Sequence, residues 1–218
     1  MNDKPTSLES SARPLDAPAP GALARIAWVV QRATGWSTIL ARPVPARCVI
    51  VFFPHTSNWD FIVGLLAKWV IGIQVRWVAK DSLFRTPLAP LFRRWGGIPV
   101  DRRQRSGLVG SLCGQLAAHD EFRVAIAPEG TRRRTEGWKS GFYRLALAAG
   151  VPLGLAYIDY RRREIGIGAW IALTGDIEAD MAAIAGFYRD RTARRPDRVG
   201  PVRLDDAGTP RENEAGTS

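Results

Sequence analysis

The stretch "VIVFFPHTSNWDF", Val49 to Phe61, places a histidine directly after an apolar run and five residues before an aspartate. The 218-residue chain holds only two histidines, His55 and His119. A neutral imidazole suits proton abstraction near neutral pH, and a carboxylate within reach can orient it. On one continuous helix five residues advance by about 500°, so His55 and Asp60 would lie on different faces. The pair can meet only if the chain changes structure between them. A strand that ends at Phe53, a ladder stopped by Pro54 and a helix capped by Ser57 or Asn58 would do this. Asp60 would then sit in the first helical turn, where the helix dipole favours a carboxylate. The loop could fold His55 back so that one ring nitrogen donates to Asp60, with the other left as a base. Taken alone, the pair equally fits a helix-start aspartate beside a loop histidine with its tip in water. Ser57, in the same loop, is read as a cap rather than a nucleophile.

Two further loops carry comparable residues after short apolar runs: "GGIPVDRR", Gly96–Arg103, and "APEGTRRR", Ala127–Arg134. In order and spacing, His55-x4-Asp60, Gly97-Ile98-Pro99-Val100-Asp101-Arg102, Pro128-Glu129-Gly130-Thr131-Arg132 and Val151-Pro152-Leu153 resemble the four motif blocks of the glycerolipid acyltransferases, typified by 1-acylglycerol-3-phosphate acyltransferase. The resemblance covers roughly residues 47–158. It implies a glycerol-3-phosphate acyltransferase-like fold and transfer of a fatty acyl group from acyl-CoA or acyl-carrier protein to the hydroxyl of a lysophospholipid. The acceptor it favours is 1-acylglycerol-3-phosphate, giving phosphatidic acid. In that family the histidine is the general base and the aspartate orients it, roles that fall on His55 and Asp60. The resemblance further implies that Arg102, Glu129, Gly130, Thr131 and Arg132 form the acceptor-binding site, the arginines through the acceptor phosphate and Glu129 either on a glycerol hydroxyl or by orienting an arginine. Acyl-CoA or carrier protein would act as co-substrate, with no cofactor and no metal. Pro54, Pro99 and Ala127 stand where the family commonly has other residues, which leaves the acceptor open. Another lysophospholipid or an amino-acid lipid remains an alternative.

The elements that must position these residues are legible from patterning. Short β-branched runs, "CVIVFF", "VRWVA", "IPV" and "RVAIA", alternate with helical patterns at Asn58–Ile73, Pro87–Trp95, Leu108–His119 and Gly141–Ala149. "PLGLAYI", "EIGIGAWIAL" and a last helix from about Glu178 to Thr192 follow. Strands apolar on both faces and separated by helices indicate an α/β fold with a mostly parallel central sheet covered by helices on both faces. Residues 1–20 and 196–218, rich in Pro, Gly, Ser and Asp, read as disordered tails, leaving a single domain over 21–195. Residues 22–40, with Trp28, Trp36 and aliphatics punctuated by Arg25 and Arg32, read as an N-terminal amphipathic helix.

The net charge of +10 resides between the two tails, each of which is slightly acidic, and wants an anion. Cys48 and Cys113 lack metal-ligand or disulfide spacing and read as ordinary thiols. His119 reads as a helix-end histidine. The N-terminus has no apolar signal segment, and the longest apolar stretch, Phe61–Val75, is short for a span that needs about 20 residues. The expected place is the cytoplasmic side of the cell membrane, peripheral or monotopic, on an anionic surface. Interleaved tryptophans and arginines fit such an interface as well as they fit a core. A nucleic-acid-binding module lacks any recognition fingerprint. A catalytically silent lipid-binding protein of the same fold, or a hydrolase using the same histidine, would be distinguished by its products.

Overall fold

The computed structural model describes residues 11–100 and 105–205. Strand β1 (Arg13–Pro14), helix α1 (Ala22–Ala33), β2 (Ser37–Leu40) and β3 (Arg47–Phe53) come first, then α2 (Asn58–Ile71), β4 (Arg76–Lys80), α3 (Ala89–Arg94) and β5 (Gly97–Val100). The second half holds α4 (Arg105–Ala118), β6 (Phe122–Ile126), α5 (Gly141–Ala149), β7 (Leu153–Asp159), β8 (Glu164–Ile171) and α6 (Ile177–Tyr188). One eight-stranded sheet runs in the order β1-β2-β8-β7-β3-β6-β4-β5. Among the described residues only β1 with β2 and β7 with β8 pair antiparallel. The α/β fold with a mostly parallel sheet is therefore what the chain forms.

Alternation along β3 explains its unbroken apolar sequence. Val49, Val51 and Phe53 join the core under α4, α5 and α6, while Cys48, Ile50 and Phe52 pack on the opposite face, toward α2. With both faces covered there is no solvent side on which polar residues could alternate. Each such aliphatic side chain, fully buried, contributes about 1.5–3 kcal/mol. The strand is thereby fixed firmly enough to serve as a platform. Its neighbours in the sheet, β7 and β6, run parallel to it. The segments leaving β7, β3 and β6 consequently emerge side by side at one edge of the sheet, the usual site edge of open α/β folds.

Three sequence expectations are corrected. The amphipathic helix read over 22–40 stops at Ala33: Gly35 takes a left-handed φ of 74°, and Ser37–Leu40 instead pairs parallel with β8. Buried Gln31, which accepts from the Thr38 hydroxyl at 2.6 Å, binds the helix to that strand. The tail read over 1–20 is not a tail at Arg13–Pro14, which pair with β2. The tail read over 196–218 begins with an ordered segment: Trp138 N donates to the Arg203 carbonyl at 2.7 Å and Asp205 N to the Trp138 carbonyl at 2.8 Å. Proline and arginine content misled there: Val199, Val202 and Leu204 pack against the main core, and backbone bonds add to that hold. Cys48 is buried and Cys113 half-buried, both as free thiols, and the His119 ring contacts the Gln115 carbonyl at the end of α4.

Candidate functional site

The site grows from the junction of β3 and α2. Pro54, joined to Phe53 by a cis peptide, ends the strand, and Ser57 caps the helix. The cap is a reciprocal box: the Ser57 hydroxyl accepts from Trp59 N, and the Asp60 side chain reaches back to the cap backbone. Asp60 Oδ2 accepts from Thr56 N and Ser57 N, both at 2.7 Å. A cap of this kind contributes about 1 kcal/mol to the helix, and here it also fixes the carboxylate.

His55 Nδ1 lies 3.4 Å from Asp60 Oδ2, longer than a formed N–H···O bond, and it is buried without another partner. Such pairs are commonly loose before substrate binds and tighten afterwards. With Nδ1 turned inward, Nε2 is the nitrogen left for chemistry. The Asp60 side chain has no exposed surface. Burial works against its charge, but the nearby His55 ring and the hydrogen bonds from Tyr160 and Ser57 outweigh burial and hold the carboxyl below its ordinary value. Its second oxygen, Oδ1, accepts from the Tyr160 hydroxyl at 2.7 Å.

The loop after β6 brings in the Pro128–Arg132 block. Glu129 is 2% exposed, and its Oε2 accepts from the His55 backbone N–H at 3.3 Å, while Oε1 is buried without a partner. Burial pushes this carboxyl up to about 7, against the lowering effect of the amides of His55 and Gly200 and with a further rise from Asp60. Gly130 has a φ of 63°, a conformation that a side chain would strain, and a Cβ there would also crowd Lys139 Nζ. The Thr131 hydroxyl accepts from Arg133 N within the turn. Arg132 is exposed, and Arg134 donates to the Val199 carbonyl at 2.9 Å. Arg102 lies outside the described residues.

Two cavities meet at His55. The first, about 600 Å³, runs between α2 and the sheet and is lined by Ile50, Phe52, Gly64, Ala125, Ala156 and Gly166 among others. Small residues on both walls leave this space open, since alanine and glycine cannot fill the gap that leucine would. Lys68, ten residues along α2 from Asn58, stands in its lining and donates to the Trp95 carbonyl. Burial, then the charge of Arg76, lowers the Lys68 ammonium below its ordinary value. The second cavity, about 790 Å³, opens beside Gly130, Thr131 and Lys139. Arg132 and His55 border both.

The structure thus unites His55, Asp60, Glu129, Gly130, Thr131 and Arg132 at one sheet edge. Glu129 is buried behind the loop that carries His55. Sequence reasoning missed Tyr160, Lys68 and the segment around Gly200. Tyr160 had one available signal, a hydroxyl placed just after an apolar strand, but nothing in the sequence says that β7 neighbours β3. Among the described residues no helix is long and apolar enough to cross a membrane.

A family model described as Acyltransferase matches residues 40–154, a span that includes His55, Asp60 and the Pro128–Arg132 block. A search of curated proteins returned no match.

Proposed function

The chain belongs to the acyltransferase family, and from that premise we propose that it moves a fatty acyl group from acyl-CoA or acyl-carrier protein to the hydroxyl of a lysophospholipid. The acceptor we favour is 1-acylglycerol-3-phosphate, with phosphatidic acid as product. The observation that carries this reading is an imidazole oriented by a buried carboxylate at the mouth of an apolar cavity of about 600 Å³.

His55 Nε2 takes the proton of the acceptor hydroxyl as its oxygen attacks the thioester carbonyl carbon. Asp60 stabilises the imidazolium that forms, and its carboxylate stays ionised. The tetrahedral intermediate collapses by breaking the C–S bond, and the imidazolium returns its proton to the departing thiolate. Ester and free thiol are the products, and the enzyme ends as it began. The acyl chain occupies the cavity along α2, and Arg132 at the rim pairs with the acceptor phosphate. Glu129 serves as a brace between two loops.

Both substrates carry acyl chains, and α1 is built to meet a lipid surface. Its inward face is made of small residues, Ala24 and Ala27, whereas Leu23, Ile26, Val29 and Val30 point outward, with Ile26 61% and Val29 63% exposed. Trp59 and Ile62 on α2 are exposed as well, and Arg25 and Arg32 flank the patch. Apolar side chains framed by arginines complement an anionic bilayer, which supports a peripheral position on the cytoplasmic side of the membrane.

Transfer from radiolabelled acyl-CoA and acyl-carrier protein into a panel of lysolipids tests the reading, with His55→Ala beside the wild type. Label is expected in the diacyl product, and the variant should lose roughly 100-fold to 10,000-fold in rate. A wild type that binds vesicles but transfers to no lysolipid would leave a lipid-binding role in its place, and free fatty acid as product would make it a hydrolase.

A further inference from the structure

We propose that Tyr160 is a positioning residue for the His55–Asp60 pair, holding Asp60 through the oxygen that the catalytic loop does not use. Asp60 Oδ2 is committed to Thr56 N, Ser57 N and the approach to His55. That leaves Oδ1, which accepts from the Tyr160 hydroxyl at 2.7 Å. A carboxylate turns easily about its last torsion, where the wells are broad. Donors on both oxygens remove that freedom, and the oxygen facing Nδ1 stays in place.

Tyr160 is itself held on three sides. Its backbone N–H donates to the Thr192 carbonyl at 2.8 Å. The Trp36 ring meets it edge-on, with centroids 5.2 Å apart. The Arg194 guanidinium lies 5.8 Å from its ring centroid and 5.6 Å from that of Trp59. The next residue, Arg195, donates its backbone N–H to Thr56 Oγ1 at 3.3 Å, inside the catalytic loop. Tyr160, Trp36, Thr192, Arg194 and Arg195 all lie outside residues 40–154, the span that the family model matches. The dyad of this chain is therefore braced by segments before and after the matched span, and Tyr160 is where that brace touches the carboxylate.

The proposal rests on His55 as the base, so its test includes a readout that needs no turnover. Diethyl pyrocarbonate acylates the unprotonated imidazole, and His119, the only other histidine, is an exposed internal reference. Rates at both histidines are measured by mass spectrometry in the wild type, Tyr160→Phe, Asp60→Asn and the double variant. Tyr160→Phe is expected to slow modification of His55 several-fold with His119 unchanged, and the double variant to match Asp60→Asn alone, because Tyr160 acts through Asp60. In acyl transfer, Tyr160→Phe should lower kcat roughly 5- to 50-fold with KM within about twofold, again with no further loss in the Asp60→Asn background. Thermal unfolding of each variant separates loss of fold from loss of positioning. An unchanged His55 rate in Tyr160→Phe, or losses that multiply in the double variant, would overturn the proposal. If the wild type transfers no acyl group, the functional reading falls, and the modification rates still decide whether Tyr160 positions the pair.

Discussion

Glu129 accepts the backbone N–H of His55 at 3.3 Å, so the loops leaving the neighbouring strands β6 and β3 are tied by a buried carboxylate. The tie comes with a charge that the site does not neutralise. Burial raises Glu129 to about 7, and Asp60 adds to the rise, while the His55 and Gly200 amides offset it in part. Between its ordinary 4.5 and about 7 the folded chain holds a proton there that the unfolded chain has released. Its contribution to stability is therefore full below 4.5 and lost as pH climbs through 7. Glu129→Gln keeps an acceptor for His55 N without the charge. Urea unfolding should show the variant gaining on the wild type by roughly 1–3 kcal/mol between pH 5 and pH 8. A difference independent of pH would mean that Glu129 is charged throughout.

Asp60→Asn separates orientation from packing. The amide is nearly isosteric, but its NH2 cannot face the Thr56 and Ser57 amides and must turn to the Tyr160 hydroxyl, which then accepts instead of donating to residue 60. The hydroxyl proton loses its acceptor, at a cost of about 1–3 kcal/mol, visible as a lower midpoint in denaturant. The imidazolium formed during transfer also loses its counter-charge. We expect kcat to fall by about 100-fold or more with a much smaller change in KM. Retention of kcat would remove Asp60 from the mechanism.

The cavity along α2, proposed above to hold the acyl chain, makes a prediction about chain length. Along α2 the ten residues from Asn58 to Lys68 span about 15 Å, and Lys68 stands in the lining at that distance from the catalytic end. Lys68→Leu makes the far end apolar and shortens the side chain there. Preference should move to longer donors: two more methylenes in contact are worth about 1.6 kcal/mol, or roughly tenfold in relative kcat/KM. Gly64 faces open space, with no atom within 4 Å of where a Cβ would stand, so Gly64→Leu should act oppositely and cut long-chain turnover. Competition between acyl-CoAs of different length reads both, and unchanged selectivity in both would place the acyl chain elsewhere.

How much of this was legible depends on the range of the interactions. The β3–loop–α2 junction was readable because proline, the Ser57 cap and Asp60 act within a few residues of one another. The Pro128–Arg132 block was readable as a motif, but not the direction of Glu129, which points back at a loop 74 residues away in sequence. Tyr160 meets Asp60 across 100 residues, and the meeting depends on β7 lying beside β3, a strand order that periodicity does not encode. Residues 196–205 read as a tail because Val199, Val202 and Leu204, which pack on the core, follow no helix or strand period and the backbone bonds beside them carry no sequence signature. The tryptophans divide as their identity could not foretell: Trp138 is fully buried, whereas Trp59 is half exposed beside the site.

The outward face of α1 gives the last prediction. Four large aliphatics, Leu23, Ile26, Val29 and Val30, are exposed on a helix whose inward contacts are made by alanines and Gln31. Ile26 and Val29 are the most exposed of the four, at 61% and 63%, so replacing these two leaves stability nearly unchanged. Burying an exposed aliphatic in a lipid surface is worth about 2 kcal/mol, so each substitution to glutamate should weaken vesicle binding by at least about tenfold. Ile26→Glu with Val29→Glu should therefore abolish co-sedimentation with vesicles containing phosphatidylglycerol. Turnover of a water-soluble short-chain lysolipid should be kept, since neither residue lines the cavities around His55. The wild type should in turn release from the vesicles as salt rises, because Arg25 and Arg32 meet the headgroups through screened charge. Full binding by the double variant would mean that α1 does not face the membrane.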